Sequence, residues 1–255
     1  LINTAENITI ITQNIRQKTT LKSLNIDMKK INIVKGDIKD FNFLNILFNE
    51  YEFDTVFHLG ALSEVKKCQP NPKLTFETNV MGTVNILEVS RIYGIKAIAI
   101  SSSDKAYGNG TVPYVENLYG GADMNMSRII PNTIRLALKK ESPLIWKGSE
   151  ESTREFLYIE DAVDAYLSLV KNIDKTKGEA FNIGSGEIIS IKKLVEDILS
   201  KINNNLSINY QHKDFPEISH QYLDSNKIKE FTGWESKIKL SEGLDKSIKT
   251  YKNIL

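Results

Sequence analysis

Cysteine and histidine are scarce in this chain: its 255 residues include one Cys, Cys68, and three His. A lone thiol has no partner for an internal disulfide, and with no Cys–His partnership in view Cys68 reads as a bystander rather than a nucleophile. The three His show no metal-ligand spacing, so no metal centre is expected. Long apolar runs are missing too. None approaches the ~18 residues that span a bilayer, and no signal peptide is evident, although the first residue is Leu1 and not a start methionine. Nor does charge of one sign accumulate: 25% of residues are charged and the formal net charge is +1, dispersed without a basic stripe. Neither nucleic acid nor a membrane is therefore expected as a partner, and a reducing, cytoplasmic setting fits. With 41% apolar residues, the chain has the makings of one large or two small globular domains.

What is present alternates. Ile8 to Thr12 and Ile31 to Val34 read as short strands, the second running into Gly36-Asp37. Leu44 to Phe53 is amphipathic, and Thr55 to Leu59 reads as a third strand. Thr75 to Tyr93 carries Val80, Val84, Leu87 and Ile92 at helical spacing, with Gly94 as a stop, and Ile95 to Ile100 is a further strand. Strand, helix, strand is the alternation of a doubly wound α/β fold with a parallel, Rossmann-like sheet. The second half changes character: helical patterns at Ile129 to Lys140, Ile159 to Asn172 and Ser190 to Ile202 are separated by short apolar runs, Pro143 to Trp146 and Ala180 to Ile183, as in a smaller α/β lobe. Asn203-Asn204-Asn205 reads as a loop.

The densest chemistry is Ser101-Ser102-Ser103-Asp104-Lys105-Ala106-Tyr107-Gly108, where hydroxyls, an acid and a lysine follow directly on a strand. Ligands of open parallel sheets bind at the carboxyl ends of strands. Alone, the run reads more readily as a Ser-rich turn with an exposed ion pair. Together with Val34-Lys35-Gly36-Asp37, Val56-Phe57-His58-Leu59-Gly60-Ala61, Asn79-Val80-Met81-Gly82-Thr83-Val84-Asn85, Asn117-Leu118-Tyr119-Gly120-Gly121, Arg128-Ile129-Ile130-Pro131 and Thr153-Arg154-Glu155-Phe156, it resembles the extended short-chain dehydrogenase/reductases that act on nucleotide sugars. The Asp-Lys pair is similar to the 4,6-dehydratases of that family, the CDP-glucose 4,6-dehydratase branch above all. Epimerases usually carry small or apolar residues there.

The resemblance implies a dinucleotide-binding domain over 1–116 and a substrate-binding lobe over 117–255, with about 154–173 returning to the first domain. It implies NAD or NADP as cofactor, a nucleotide-diphosphate sugar as substrate, and a homodimer formed through the Thr75 to Tyr93 helix. Two of the family's features are absent. No Gly-rich turn precedes the second-strand pattern, and none of the ten Tyr has a Lys four residues on. The blocks that should flank a Tyr-x-x-x-Lys pair stand adjacent at Glu116 and Asn117, so the sequence is expected to join parts of a longer protein. A non-catalytic relative is the alternative.

By the same resemblance Ser103 holds the sugar C4 oxygen, Asp104 is the acid at the C6 hydroxyl and Lys105 the base at C5. Ser103 as a mere turn cap and Lys105 as a cation stabilising an enolate stay open. Gln13, Asn14, Arg16, Asp37, Ile38, His58, Leu59, Gly60, Ala61, Asn79, Ser101 and Ser102 are the expected cofactor contacts. The stretch Thr12 to Arg16 lacks an acid for a ribose hydroxyl and contains Arg16, which leans toward NADP. Asp37 is otherwise an ordinary turn residue, His58 a core-edge histidine and Asn79 a satisfied polar core residue. Asn117, Arg128 and Arg154 are the expected substrate contacts, the guanidinium fork matching a diphosphate. Asp161 and Asp164 are expected to cap and solvate their helix, and Lys192-Lys193 to form a wet face.

Overall fold

The computed structural model describes residues 5–13, 28–63, 68–102, 117–203, 205–212 and 219–255. The chain divides into two compact units, Leu1–Ser102 and Ser103–Leu255.

In the first unit β1 (Ile8–Thr12) runs parallel to β2 (Ile31–Lys35), Ile8 opposite Ile31 and Thr12 opposite Lys35. β3 (Thr55–His58) runs parallel to β4 (Ala97–Ile100), His58 opposite Ile100. Both ladders continue past the strands: the Gly36 N–H donates to the Thr12 carbonyl at 3.1 Å and the Ser101 N–H to the His58 carbonyl at 2.9 Å. Among the described residues no ladder joins the two pairs.

A shared helical layer holds them. α1 (Phe41–Glu50) starts where the Asp40 carboxylate accepts from the Phe43 N–H at 3.0 Å, satisfying one of the first-turn donors that have no intrahelical partner. The segment expected over Thr75 to Tyr93 consists of α2 (Pro72–Phe76), a π turn (Glu77–Met81) and α3 (Gly82–Ile92). It begins at Pro72 because a proline at the first helical position is preset in φ and loses no intrahelical bond. It stops as expected at Gly94, whose φ of 66° is left-handed. Leu44 and Phe48 of α1 and Ile86 and Val89 of α3 are buried together, and Ile11 of β1 and Val56 of β3 pack on them. The opposite stripe of the helix, Val80, Val84 and Leu87, stays 48%, 47% and 41% exposed.

The second unit is organised around β7 (Thr153–Tyr158). β5 (Asn117–Tyr119) lies parallel along residues 156–158, and β10 (His220–Gln221) parallel along 153–154. β8 (Ile188–Ser190) is antiparallel along 153–155. β6 (Leu144–Trp146) and β9 (Asn209–Gln211) form a separate parallel pair. Successive strand side chains point to opposite faces, so Phe156 and Tyr158 meet one helical layer and Leu157 another. The first layer is α4 (Ile129–Leu138), α7 (Ile191–Ile202) and α9 (Leu240–Ile254). The second is α5 (Ile159–Lys171) with Ile228 of α8 (Asn226–Thr232) and Trp234; a short α6 (Ile173–Thr176) follows α5. The apolar run Ala180 to Ile183 forms no strand; Phe181 and Ile183 pack into this second layer instead. No described helix is long and apolar enough to cross a membrane.

Asp161 corrects an expectation. It is 3% exposed, and its Oδ2 accepts from the Ser236 hydroxyl at 2.8 Å and from the N–H groups of Lys237 and Ile238 at 3.0 and 2.8 Å. Rather than solvating its helix, it ties the chain leading into α9 to the start of α5. Asp164 meets Lys237 at 3.4 Å on the surface.

α9 reaches β5 only because residue 243 is glycine. A Cβ there would lie 2.0 Å from the Tyr119 hydroxyl, itself donating to the Leu240 carbonyl at 3.3 Å, and 2.9 Å from the Tyr158 ring. Gly243→Ala gains about 1 kcal/mol of helix propensity but overpacks a closed contact, a change that usually costs about 1–3 kcal/mol. The variant is expected to unfold at lower urea concentration than the parent; an unchanged or higher midpoint would refute the close approach.

Candidate functional site

The carboxyl ends of the first unit's strands gather polar side chains and glycines. After β2, Gly36 lies beneath the Phe43 ring, where a Cβ would be 2.0 Å from ring carbon. Only glycine fits. Asp37 follows, its Oδ1 accepting from the Lys39 N–H at 2.9 Å and its Oδ2 facing the Lys39 ammonium at 3.5 Å, with 34% of the side chain exposed. Ile38 packs on Gly82 of α3, where a Cβ would meet it at 2.7 Å. Asn85, one turn on, donates to the carbonyls of Ile38 and Lys39 at 3.0 and 3.1 Å.

After β3, His58 is 6% exposed, with Nε2 2.8 Å from the Thr83 hydroxyl oxygen. Thr83 in turn lies within donating distance, 2.7 Å, of the Asn79 carbonyl. Burial pushes the imidazole pKa below its ordinary value, because the charged ring would lose its hydration. Leu59, Gly60 and Ala61 are exposed. Leu62 is clamped: its N–H donates to Asn79 Oδ1 at 2.8 Å and its carbonyl accepts from Asn79 Nδ2 at 2.9 Å. The Asn79 amide, expected as a cofactor contact, is thus engaged by the loop beside the expected contacts. The Cys68 thiol donates to the same Leu62 carbonyl at 3.2 Å.

Ser101 and Ser102 end β4 and are exposed, and Gln13 is exposed beyond β1. Asn14, Arg16, Ser103, Asp104, Lys105 and Glu116 lie outside the described residues. The first unit therefore brings together Asp37, Ile38, His58 to Ala61 and Asn79 through one helix, and Thr83 and Asn85 are the members that sequence reasoning missed. A signal existed: Asn79, Thr83 and Asn85 are polar side chains set among the apolar and small residues Val80, Met81, Gly82, Val84 and Ile86.

In the second unit Asn117 and Arg154 lie on the paired strands β5 and β7, and the Asn117 amide donates to the Glu155 carbonyl at 3.2 Å. Arg154 is 7% exposed and donates to the Thr153 carbonyl at 2.8 Å. Arg128, at the start of α4, is half-exposed and paired with Asp123 at 2.9 Å. Beneath β7, Glu155 is 1% exposed; it accepts from the Leu223 N–H at 2.7 Å and also from the Gly186 N–H.

Residues 2–120 match the family model described as GDP-mannose 4,6 dehydratase, and residues 110–184 the one described as the NAD dependent epimerase/dehydratase family. The UDP-N-acetyl-alpha-D-glucosaminuronate decarboxylase of Bacillus cytotoxicus is 28% identical over 276 residues, covering 88% of this chain and 84% of its own. That alignment is longer than the 255 residues here, so the relative carries residues with no counterpart in this chain. The solved UDP-glucose-4-epimerase from Stenotrophomonas maltophila, with bound NAD and formylated UDP-arabinopyranose, superposes with a TM-score of 0.84 at 16% identity over 97% of this chain and 91% of its own. The dTDP-glucose 4,6-dehydratase from Bacillus anthracis, in complex with NAD, gives 0.78 at 18% identity over 96% and 88%. The doubly wound α/β architecture expected from the sequence is the architecture of this chain.

The lowered His58 pKa sets a sign. An unfolded chain takes up the proton near about pH 6.5, whereas the native site resists it, so His58 supports the fold fully above that pH and withdraws support as pH falls below it. The urea midpoint is expected to drop between pH 7.5 and 5.5, and to drop less in His58→Gln; equal drops in both proteins would refute the assignment.

Proposed function

Taking the chain as a member of the extended short-chain dehydrogenase/reductase superfamily, we propose that it is a nucleotide-sugar 4,6-dehydratase, an NAD(P)-dependent lyase converting an NDP-hexose to an NDP-4-keto-6-deoxyhexose. The observation that carries this reading is positional. Ser101 and Ser102 end β4 beside the exposed Leu59, Gly60 and Ala61 of its parallel neighbour, and the run Ser103-Asp104-Lys105 comes next in the chain. In chain order the reactive run thus follows directly on a strand end, where such folds bind ligands. The CDP-glucose branch is the finer reading, supported by the Asp-Lys pair.

The residues present suit a dinucleotide. Gly36 leaves the turn after β2 no bulk, Asp37 keeps a partly exposed carboxylate, and the strand end at Leu59, Gly60 and Ala61 lets a ligand approach backbone. When bound, the nicotinamide supplies an acceptor for the C4 hydride and returns it at C6. The chain's own groups do the rest. Ser103 hydrogen-bonds the C4 oxygen, Asp104 gives its proton to the departing C6 hydroxyl, and Lys105 takes the C5 proton made acidic by the C4 ketone. The C6 hydroxyl leaves with the Asp104 proton as water while the C5 proton passes to Lys105, which returns it to C5 as hydride adds at C6. The C4 hydroxyl proton released with the first hydride goes to the tyrosine of the Tyr-x-x-x-Lys pair, and solvent restores one to Asp104. Two titratable groups with opposite duties are what such a step requires. Arg128 and Arg154 hold the substrate diphosphate, and Asn117 contacts the nucleotide sugar. The lack of an acid near Arg16 favours NADP; binding assays with both cofactors decide between them.

The reading includes a Tyr-x-x-x-Lys pair from a segment missing between Glu116 and Asn117, and a homodimer through the exposed stripe Val80, Val84 and Leu87. Light scattering of the full-length protein at micromolar concentration is expected to give a dimer, and a monomer would remove that part of the proposal.

In the full-length protein, Asp104→Asn and Lys105→Met are expected to slow elimination by about 10² to 10⁴ each while sparing sugar-nucleotide binding, so that reduced cofactor accumulates in a single turnover. Formation of the 4-keto-6-deoxy product at parental rate by both variants refutes the catalytic roles. A product epimeric at C4 with no loss of water would point instead to an epimerase.

A further inference from the structure

We infer that Asn85 is a positioning residue for the adenine end of the dinucleotide, acting through the turn that carries Asp37; this rests on the dinucleotide-binding reading above. Asn85 is not itself at the strand ends. It sits on α3, and its amide nitrogen reaches the Ile38 and Lys39 carbonyls at 3.0 and 3.1 Å. One NH2 group has two hydrogens, so each carbonyl takes one and the turn is held at two consecutive peptides.

Those two peptides set the direction of Asp37. Its Oδ1 is closed onto the Lys39 N–H at 2.9 Å, and the plane of the carboxylate therefore follows the turn's backbone. The Oδ2 edge is left as the acceptor, 3.5 Å from the Lys39 ammonium and partly exposed. A carboxylate edge presented beside Gly36 suits a planar amine such as the 6-amino group of adenine. The helix can come close enough to hold the turn because of Gly82, where a Cβ would lie 2.7 Å from the Ile38 side chain. Gly82 and Asn85 thus form one device: the glycine admits the turn to the helix surface, and the amide fixes its rotation. Asn79 does the equivalent for a different loop, the one after β3, through Leu62, so the two clamps are separable by mutation.

The test compares NAD with nicotinamide hypoxanthine dinucleotide, which differs by carrying a carbonyl in place of the adenine 6-amino group. Binding to the purified full-length protein is measured by isothermal titration calorimetry for the parent, Asn85→Ala and Asn85→Asp, the last keeping shape while losing both donor hydrogens. The parent is expected to prefer NAD by about tenfold, and both variants to lose most of that preference by weakening NAD alone. Asp37→Asn is expected to lose the same preference, and adding Asn85→Asp to it to change little more. Variants that weaken both dinucleotides equally, or that keep the parental preference, overturn the inference and leave the dinucleotide reading intact. A parent that binds both equally also overturns it. The same comparison is made with NADP and its hypoxanthine analogue where NADP is the tighter cofactor, and a parent that binds none of these dinucleotides overturns the functional reading, and this inference with it.

Discussion

A parallel strand ends in a loop that no hairpin closes, so the positions of the loops after β2 and β3 depend on side chains reaching them from elsewhere. Here they come from one helical segment, residues 72–92. Asn79 makes two bonds to Leu62, Thr83 meets His58, and Asn85 makes two bonds to the turn after β2. Each such bond contributes only about 0.5–1.5 kcal/mol net, but a carbonyl or N–H left unpaired on burial costs about 1–3 kcal/mol. The clamps therefore select one loop arrangement more strongly than they stabilise the fold as a whole. The π turn Glu77–Met81 belongs to this arrangement: its wider coil carries Asn79, and π turns recur where a helix serves a site.

The second unit solves the same problem with carboxylates. Glu155 ties Gly186 and Leu223 beneath β7, and Asp161 gathers three donors ahead of α9. Hydrogen bonds to an ionised acceptor contribute about 1.5–3 kcal/mol each, and a carboxylate buried without them would cost several. Because neighbouring strand residues face opposite ways, Glu155 works on the face away from Arg154. It fixes the chain on both sides of β7, and Arg154 takes its place from that frame.

The elements that carry strong periodicity were legible from sequence. Ile8 to Thr12, Ile129 onward and Ile159 onward appear where apolar spacing put them, and Gly94 and Ser190 end and begin helices as their residue types predict. α9 was missed although Leu240, Leu244, Ile248 and Tyr251 mark its buried face, because ten of its other positions are polar or small and dilute that stripe. The candidate site was legible at its strand ends, where Gly36, Asp37 and His58 to Ala61 follow short apolar runs. What supports them was not. Asn85 donating to Ile38 across 47 residues, or Asp161 accepting from Ile238, leaves no trace in local spacing, since such contacts exist only once both partners have folded.

Thr83 has one hydroxyl proton and two neighbours that could take it, the Asn79 carbonyl at 2.7 Å and His58 Nε2 at 2.8 Å. A carbonyl oxygen can only accept, whereas an imidazole nitrogen can also donate. Both contacts are satisfied together in a single way: Thr83 gives its proton to Asn79 and receives one from His58 Nε2. The neutral ring is then the Nε2–H tautomer, and its lone pair is left on Nδ1. A proton arriving in acid must add there, on the side of the ring away from the helix, so the end of β3 can change charge without releasing its hold on Thr83.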